Sequence, residues 1–131
     1  MQYAMDLNRY GKEKEHREME NIKKKAINIL GTTYTIESSL AITNELIAKQ
    51  YDGQTDFIHK CIDIKPYTKL LPDNEDIVAK KEYYNTVLRH ELTHAFFHEA
   101  GLDAYAYDET LVDFIAIQFP KLQNLFKSQE V

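Results

Sequence analysis

The chain has one cysteine, three prolines and four glycines among 131 residues. A lone thiol, Cys61, excludes an internal disulfide framework. With no second thiol at metal-site spacing, it also argues against a cysteine-rich zinc ribbon. Cys61 itself reads as a small buried apolar residue. No apolar run approaches the roughly 20 residues a membrane span requires. The opening residues, MQYAMDLNRYGKEKEHREME, lack the apolar core of an export signal. There is no internal repeat and no low-complexity tract, so the expectation is a soluble, cytoplasmic protein that does not engage a membrane.

Basic charge is also scarce where it would matter for nucleic acid. Residues 1 to 25 hold seven basic and five acidic side chains, whereas residues 26 to 131 hold nine and sixteen. An acidic body disfavours a grip built on phosphate contacts, so no nucleic-acid partner is expected. The KEKEHREMENIKKK run mixes both signs at helical spacing and reads as a solvated helix face. A chain of this length is one domain's worth of material, and a monomer is the simplest expectation.

Along the chain, Met19, Ile22, Ala26, Ile29 and Leu30 recur at helical intervals and Gly31 is placed to stop a helix, which predicts one amphipathic helix over 12–30. Residues 1–25 would then be an N-terminal helical extension. TTYTIESS predicts a strand at 33–38, and LAITNELIAKQ a short helix or turn-rich connection. In DGQTDFIHKCIDIKP, Asp52-Gly53 is a turn signal. Phe57, Ile58, Ile62 and Ile64 follow as short runs separated by His59-Lys60, so a hairpin or two adjacent strands ending at Pro66 is expected. PYTKLLPDNEDIV reads as a loop. The fold class is α+β: a single small domain with an N-terminal helix, a small, twisted, mostly antiparallel sheet, and helices beyond it.

Three of the five histidines fall within VLRHELTHAFFHEAG, residues 87–101. Residues 79–99 contain no Gly or Pro and stop at Gly101, which predicts a helix of about five turns. His90 and His94 then lie one turn apart on one face, with Glu91 beside them and His98 a turn further on. This is HExxH. Two imidazoles aimed at one point can hold a zinc ion, and the glutamate sits near enough to take a proton from a water there. Leu88, Leu92, Ala95 and Phe96 line the opposite side, between Val87 and Phe97. A helix apolar nearly all round is expected to be buried, where imidazoles and a carboxylate need partners.

A third ligand is required. In YAYDETLVDFIAIQFPKL, Asp108 is placed as a helix N-cap, and the helix is expected to run to about Phe119 before Pro120. Glu109, Asp113 and Ala116 share one face. Glu109 is expected as the third ligand and Asp113 as the acceptor of a ligating histidine's outer N–H, with Ala116 allowing close approach of the two helices. The plainer alternatives are that Glu109 only favours the helix N-terminus and Asp113 is a solvated acid. His98 competes poorly as a ligand, because three ligands at four-residue spacing would spread over roughly 12 Å of helix axis. It is expected at the rim, contacting substrate or capping the helix C-terminus.

HELTH followed fifteen residues after its second histidine by ExxxD resembles the gluzincin class of zinc metallopeptidases. The metzincin pattern does not fit, since position 97 is Phe and position 100 is Ala. More narrowly, ILGTTYTIES, DGQTDF, VLRHELTHAFFHEAGL and DETLVDFIAIQFPKL look like the small phage and prophage proteins called minimal gluzincins. These are similar in turn to ImmA- and IrrE-type metallopeptidase domains. The likeness covers about residues 28–127. It implies a bacterial host, a small twisted sheet whose edge strand borders the cleft, and a peptide or protein substrate paired with that edge around 55–59. No counterpart of the separate domain that supplies a transition-state histidine in larger gluzincins is evident.

The expected activity is zinc-dependent peptide-bond hydrolysis. His90, His94 and Glu109 hold the metal, Glu91 moves the proton, and Tyr105, Tyr107 or His98 assists at the oxyanion. Two competitors are a phage-encoded zinc-containing regulatory or binding protein that cuts nothing, and a metal-free interaction module.

Overall fold

The computed structural model describes residues 24–131. Two strands open it, β1 (Lys24–Ile29) and β2 (Thr32–Glu37), joined as an antiparallel hairpin. The expected helix over 12–30 is therefore corrected over 24–30; its part at 12–23, like most of the expected helical extension at 1–25, lies outside the described residues. Ile29 belongs to the expected helical stripe, but together with Ile27 it also fits a period of two. The hairpin wins because both face the core, opposite Tyr34 and Thr32 respectively. Gly31 does not stop a helix. Leu30 (φ 50°) and Gly31 (φ 94°) are the two turn residues, both in the left-handed region that a tight primed turn demands, and Asn28 Oδ1 accepts the Gly31 N–H at 2.9 Å.

Helix α1 (Leu40–Lys49) follows, capped by Ser39, whose Oγ accepts the Ile42 N–H at 3.2 Å. The next hairpin pairs β3 (Gly53–Asp56) with β4 (Cys61–Ile64). Its strands are shorter than the apolar runs suggest. Phe57 and Ile58 sit in the turn, because Asp56 Oδ1 accepts the N–H groups of both Ile58 and His59 at 2.9 Å and so closes the chain early. The sheet order is β1-β2-β4-β3, with β2 and β4 parallel and the other pairs antiparallel. This leaves β3 as an edge.

Past Pro66 the expected loop contains one 3₁₀ turn, Tyr67–Lys69, and then α2 (Ile77–Glu99), capped by Asp76. A short α3 (Asp103–Ala106) leads to α4 (Glu109–Ser128), whose N-cap is Asp108. Helix α4 does not end before Pro120 as its sequence suggests. Proline removes the N–H that would bond the carbonyl four residues back, here that of Ala116. Arg89 Nε donates to that oxygen at 2.7 Å. The orphan acceptor is thus satisfied by a side chain of α2, and the helix runs on to Ser128.

Helix α2 lies across one face of the sheet, where Tyr34, Ile62 and Ala95 are fully buried together with Ile29; Ile64, Leu70 and Val87 extend this core. The α2 C-terminus is pinned down by Glu99, which accepts from Thr32 Oγ1 and Tyr34 Oη at 2.7 Å and from Lys60 Nζ at 2.8 Å. Alternation along β3 sends Thr55 toward α2 and Gln54 toward α1, so the two helices cover opposite faces. Helix α2 is not buried all round: Phe96 is 48% exposed. Cys61 is half-buried, so its expected burial is only partial. No helix among the described residues is long and apolar enough to cross a membrane.

Candidate metal centre

His90 and His94 project from the side of α2 that meets α3 and α4, as the four-residue spacing requires. His90 Nδ1 lies 2.7 Å from Asp113 Oδ1, and His94 Nδ1 lies 2.6 Å from the Ala106 carbonyl oxygen. A carboxylate and a carbonyl can only accept, so both Nδ1 atoms carry hydrogen. In the neutral rings both Nε2 atoms then present lone pairs inward. These two nitrogens are 3.0 Å apart. Glu109 completes the set: its Oε2 is 3.0 Å from His90 Nε2 and its Oε1 is 3.2 Å from His94 Nε2.

Four acceptor atoms from three residues lie this close, an arrangement that calls for a proton or a metal cation among them. Two ligands, each about 2.0–2.1 Å from a tetrahedral zinc ion, are about 3.3 Å apart. The two Nε2 atoms are 3.0 Å apart and each lies 3.0 to 3.2 Å from one or the other Glu109 oxygen, close to that spacing, so the residues present fit a metal ion of this size. His90, Glu91 and His94 by themselves offer ligand atoms all within 4.8 Å of one another, close enough to bind a metal ion.

Glu91 differs from Glu109 in its surroundings. The Glu109 side chain is 66% exposed at the open end of α4, whereas that of Glu91 is only 7% exposed. Burial, opposed by His94 and the Thr55 hydroxyl and reinforced by Glu109, leaves the Glu91 carboxyl raised to about 7 in the metal-free protein. Its Oε2 lies 3.9 Å from His90 Nε2, beyond hydrogen-bond distance. Thr55 Oγ1 lies 3.0 Å from Glu91 Oε1.

The donor set sits in the middle of a cleft. One lobe, of about 430 Å³, includes Phe57, Tyr107 and Glu109; the other, of about 420 Å³, includes Tyr83, Asp113 and Ile117. Both are bordered by Tyr51, Gly53, His90 and Glu91. A larger cavity of about 620 Å³ lies between the β1–β2 turn, α2 and α4, but its walls are mainly apolar and contain none of the metal donors. Chemistry outweighs volume in choosing between them.

The edge strand β3 forms the floor of the cleft. Lys65 N–H bonds to the Asp52 carbonyl at 3.1 Å, which makes 52 and 65 a hydrogen-bonded pair in the antiparallel register. Alternation then assigns the main-chain groups of Gln54 and Asp56 to β4 and leaves those of Gly53 and Thr55 facing the open edge.

Of the remaining residues singled out by sequence, only Tyr107 borders this cleft. His98 stacks against Phe57, with ring centroids 4.3 Å apart, and its Nδ1 lies 2.6 Å from Asp103 Oδ1. Tyr105 packs beside Phe97. Sequence reasoning missed the Ala106 carbonyl, which no side-chain pattern can signal. The edge expected around 55–59 pointed to this segment, but the contacts of Gly53 and Thr55 with Glu91 and of Phe57 with His98 become visible only when the hairpin is placed beside α2. No protein-family model, curated protein or solved structure matches the chain.

Proposed function

We propose that the protein is a zinc-dependent peptidase that hydrolyses peptide bonds, as its resemblance to the gluzincins implies. The observation that carries the proposal is the convergence of two outward-tethered imidazoles and one carboxylate beside a second, buried carboxylate. Two nitrogens and one oxygen at tetrahedral spacing suit zinc, whereas magnesium and calcium prefer shells of six or more oxygens. His90, His94 and Glu109 would hold it. When bound, zinc supplies a Lewis acid for the scissile carbonyl and lowers the pKa of a water toward neutrality.

The protein's own groups do the rest. Asp113 and the Ala106 carbonyl hold the two imidazoles in the tautomer that leaves Nε2 free. Glu91 accepts the water's proton at Oε2 and hands it to the leaving amine nitrogen. Burial draws this carboxyl upward, which makes it a better proton acceptor and donor than an exposed glutamate. The Tyr107 hydroxyl, on an exposed side chain bordering the Glu109 lobe, donates to the developing oxyanion. The substrate lies extended along β3, bonded to the free main-chain groups of Gly53 and Thr55, with its two arms in the two lobes. Neither lobe is bordered by a lysine or arginine that would hold a terminal carboxylate, which favours a chain passing through. The acidic body and the phage-like resemblance suit a protein acting in a bacterial cytoplasm on a peptide or protein substrate.

Zinc analysis and a peptide-library digest of the purified protein test this reading. One zinc per chain and cleavage that disappears in Glu91→Gln, with zinc retained, are expected. Stoichiometric zinc without any cleavage would favour a regulatory or binding role, and turnover surviving in Glu91→Gln would remove that residue from the mechanism.

A further inference from the structure

Glu91 is cradled by the strand on which the substrate is proposed to lie. Residues of β3 that face α2 alternate, and the two that do so beside Glu91 are Gly53 and Thr55. A Cβ on Gly53 would come within 3.1 Å of Glu91 Cγ and 3.2 Å of both the Asp63 carbonyl oxygen and Val87 Cγ1. The strand therefore packs directly against the methylenes of the glutamate. On the other side of that contact, Thr55 Oγ1 lies 3.0 Å from Glu91 Oε1 and 3.1 Å from the Glu91 carbonyl oxygen. A buried carboxylate has two oxygens to satisfy, and here Oε1 shares the threonine proton with the Glu91 carbonyl oxygen while Oε2 lies on the side of His90 Nε2, 3.9 Å away.

We propose that Thr55 is a positioning residue for Glu91: its hydroxyl holds Oε1, which commits Oε2 to the proton transfer, and its main chain at the free edge of β3 sets the peptide in register with that oxygen. The inference rests on the peptidase reading given above. One residue thus ties the proton acceptor to the substrate track through two different groups, a side chain pointing at α2 and a peptide unit pointing at the open edge. Rotation of the glutamate about its side-chain torsions would otherwise be restrained only by packing, since no other side chain among the described residues donates to Oε1.

Thr55→Val keeps the branched shape and strand propensity and removes only the hydroxyl, while Thr55→Ser keeps the hydroxyl. In the zinc-loaded protein, Thr55→Val is expected to lower kcat about tenfold, the loss of one hydrogen bond to a charged group, with KM and zinc content unchanged. Thr55→Ser should restore kcat to within about threefold of the parent. A second readout needs neither metal nor turnover: unfolding of the metal-free Thr55→Val, Glu91→Met and double variants should be non-additive, because each single change breaks the same contact. Unchanged kcat in Thr55→Val, or a serine variant as impaired as the valine one, would overturn the proposal. Should the parent cleave no peptide, the peptidase reading falls. The metal-free cycle then decides alone on the Thr55–Glu91 contact, with additive effects overturning it.

Discussion

Arg89 Nε lies 2.7 Å from the carbonyl oxygen of Ala116, the acceptor that Pro120 deprives of its helical donor. The residue next to His90 in α2 is thereby bonded to the middle of α4, the helix that carries Glu109 and Asp113. Arg89→Ala should leave the carbonyl of the buried Ala116 without its donor and destabilise the protein by about 1–3 kcal/mol, with weakened zinc binding as α4 loosens. Pro120→Ala, which restores the missing N–H, should suppress much of the loss when combined with it. Chemical denaturation of the four proteins measures this, and equal losses from Arg89→Ala in both backgrounds would show that the arginine acts elsewhere.

Asp113 holds the outer nitrogen of His90 at 2.7 Å. Removing such a partner typically weakens metal binding by 10–100-fold, and Asp113→Ala should fall in that range in a competition titration against a chelator. His94 should tolerate side-chain changes around it better, because its outer nitrogen is held by main chain.

At the proposed site, zinc should stabilise the fold by binding among the two imidazole nitrogens and the Glu109 carboxylate. Titrating zinc into the metal-free protein should raise Tm in a concentration-dependent way, by the linkage expected of a ligand that binds the folded state, and excess chelator should reverse it. Glu109→Ala should abolish most of the shift. An undiminished shift in that variant would place the ion elsewhere.

Lys60, Thr32 and Tyr34, in that order of effect, hold the Glu99 carboxyl down at about 2. A depressed folded-state value means that the carboxylate stabilises the protein above its ordinary value near 4.5. The contribution fades as pH falls from there through about 2. The Tm difference between the parent and Glu99→Gln, measured with chelator present, should therefore be constant from pH 7 to about 6 and shrink steadily below about 5. A difference independent of pH down to about 2.5 would show that Glu99 acts through packing and not charge.

Much of this arrangement was legible without coordinates. HExxH on a Gly- and Pro-free stretch can only put His90 and His94 one turn apart, because the helical period is set by backbone geometry. The same arithmetic groups Glu109 with Asp113, and Asp108 capped α4 as its position before an apolar run suggests. The helix expected over 12–30 failed over 24–30 because Ile29, part of the helical stripe, also alternates with Ile27 at a period of two, and pairing with Tyr34 and Thr32 favoured the strand. Pro120 failed as a stop signal because its orphaned acceptor is answered by Arg89, 31 positions earlier in the chain.

The sequence by itself determined the local chemistry: which side chains share a helical face, and so which types of donor could meet. Only the tertiary structure decided that Glu109 comes within 3.2 Å of both imidazoles, that a main-chain carbonyl serves His94, and that β3 lies against Glu91. Those relationships join segments 12 to 36 residues apart, whose separation is set by packing of the hydrophobic core and not by any periodicity along the chain.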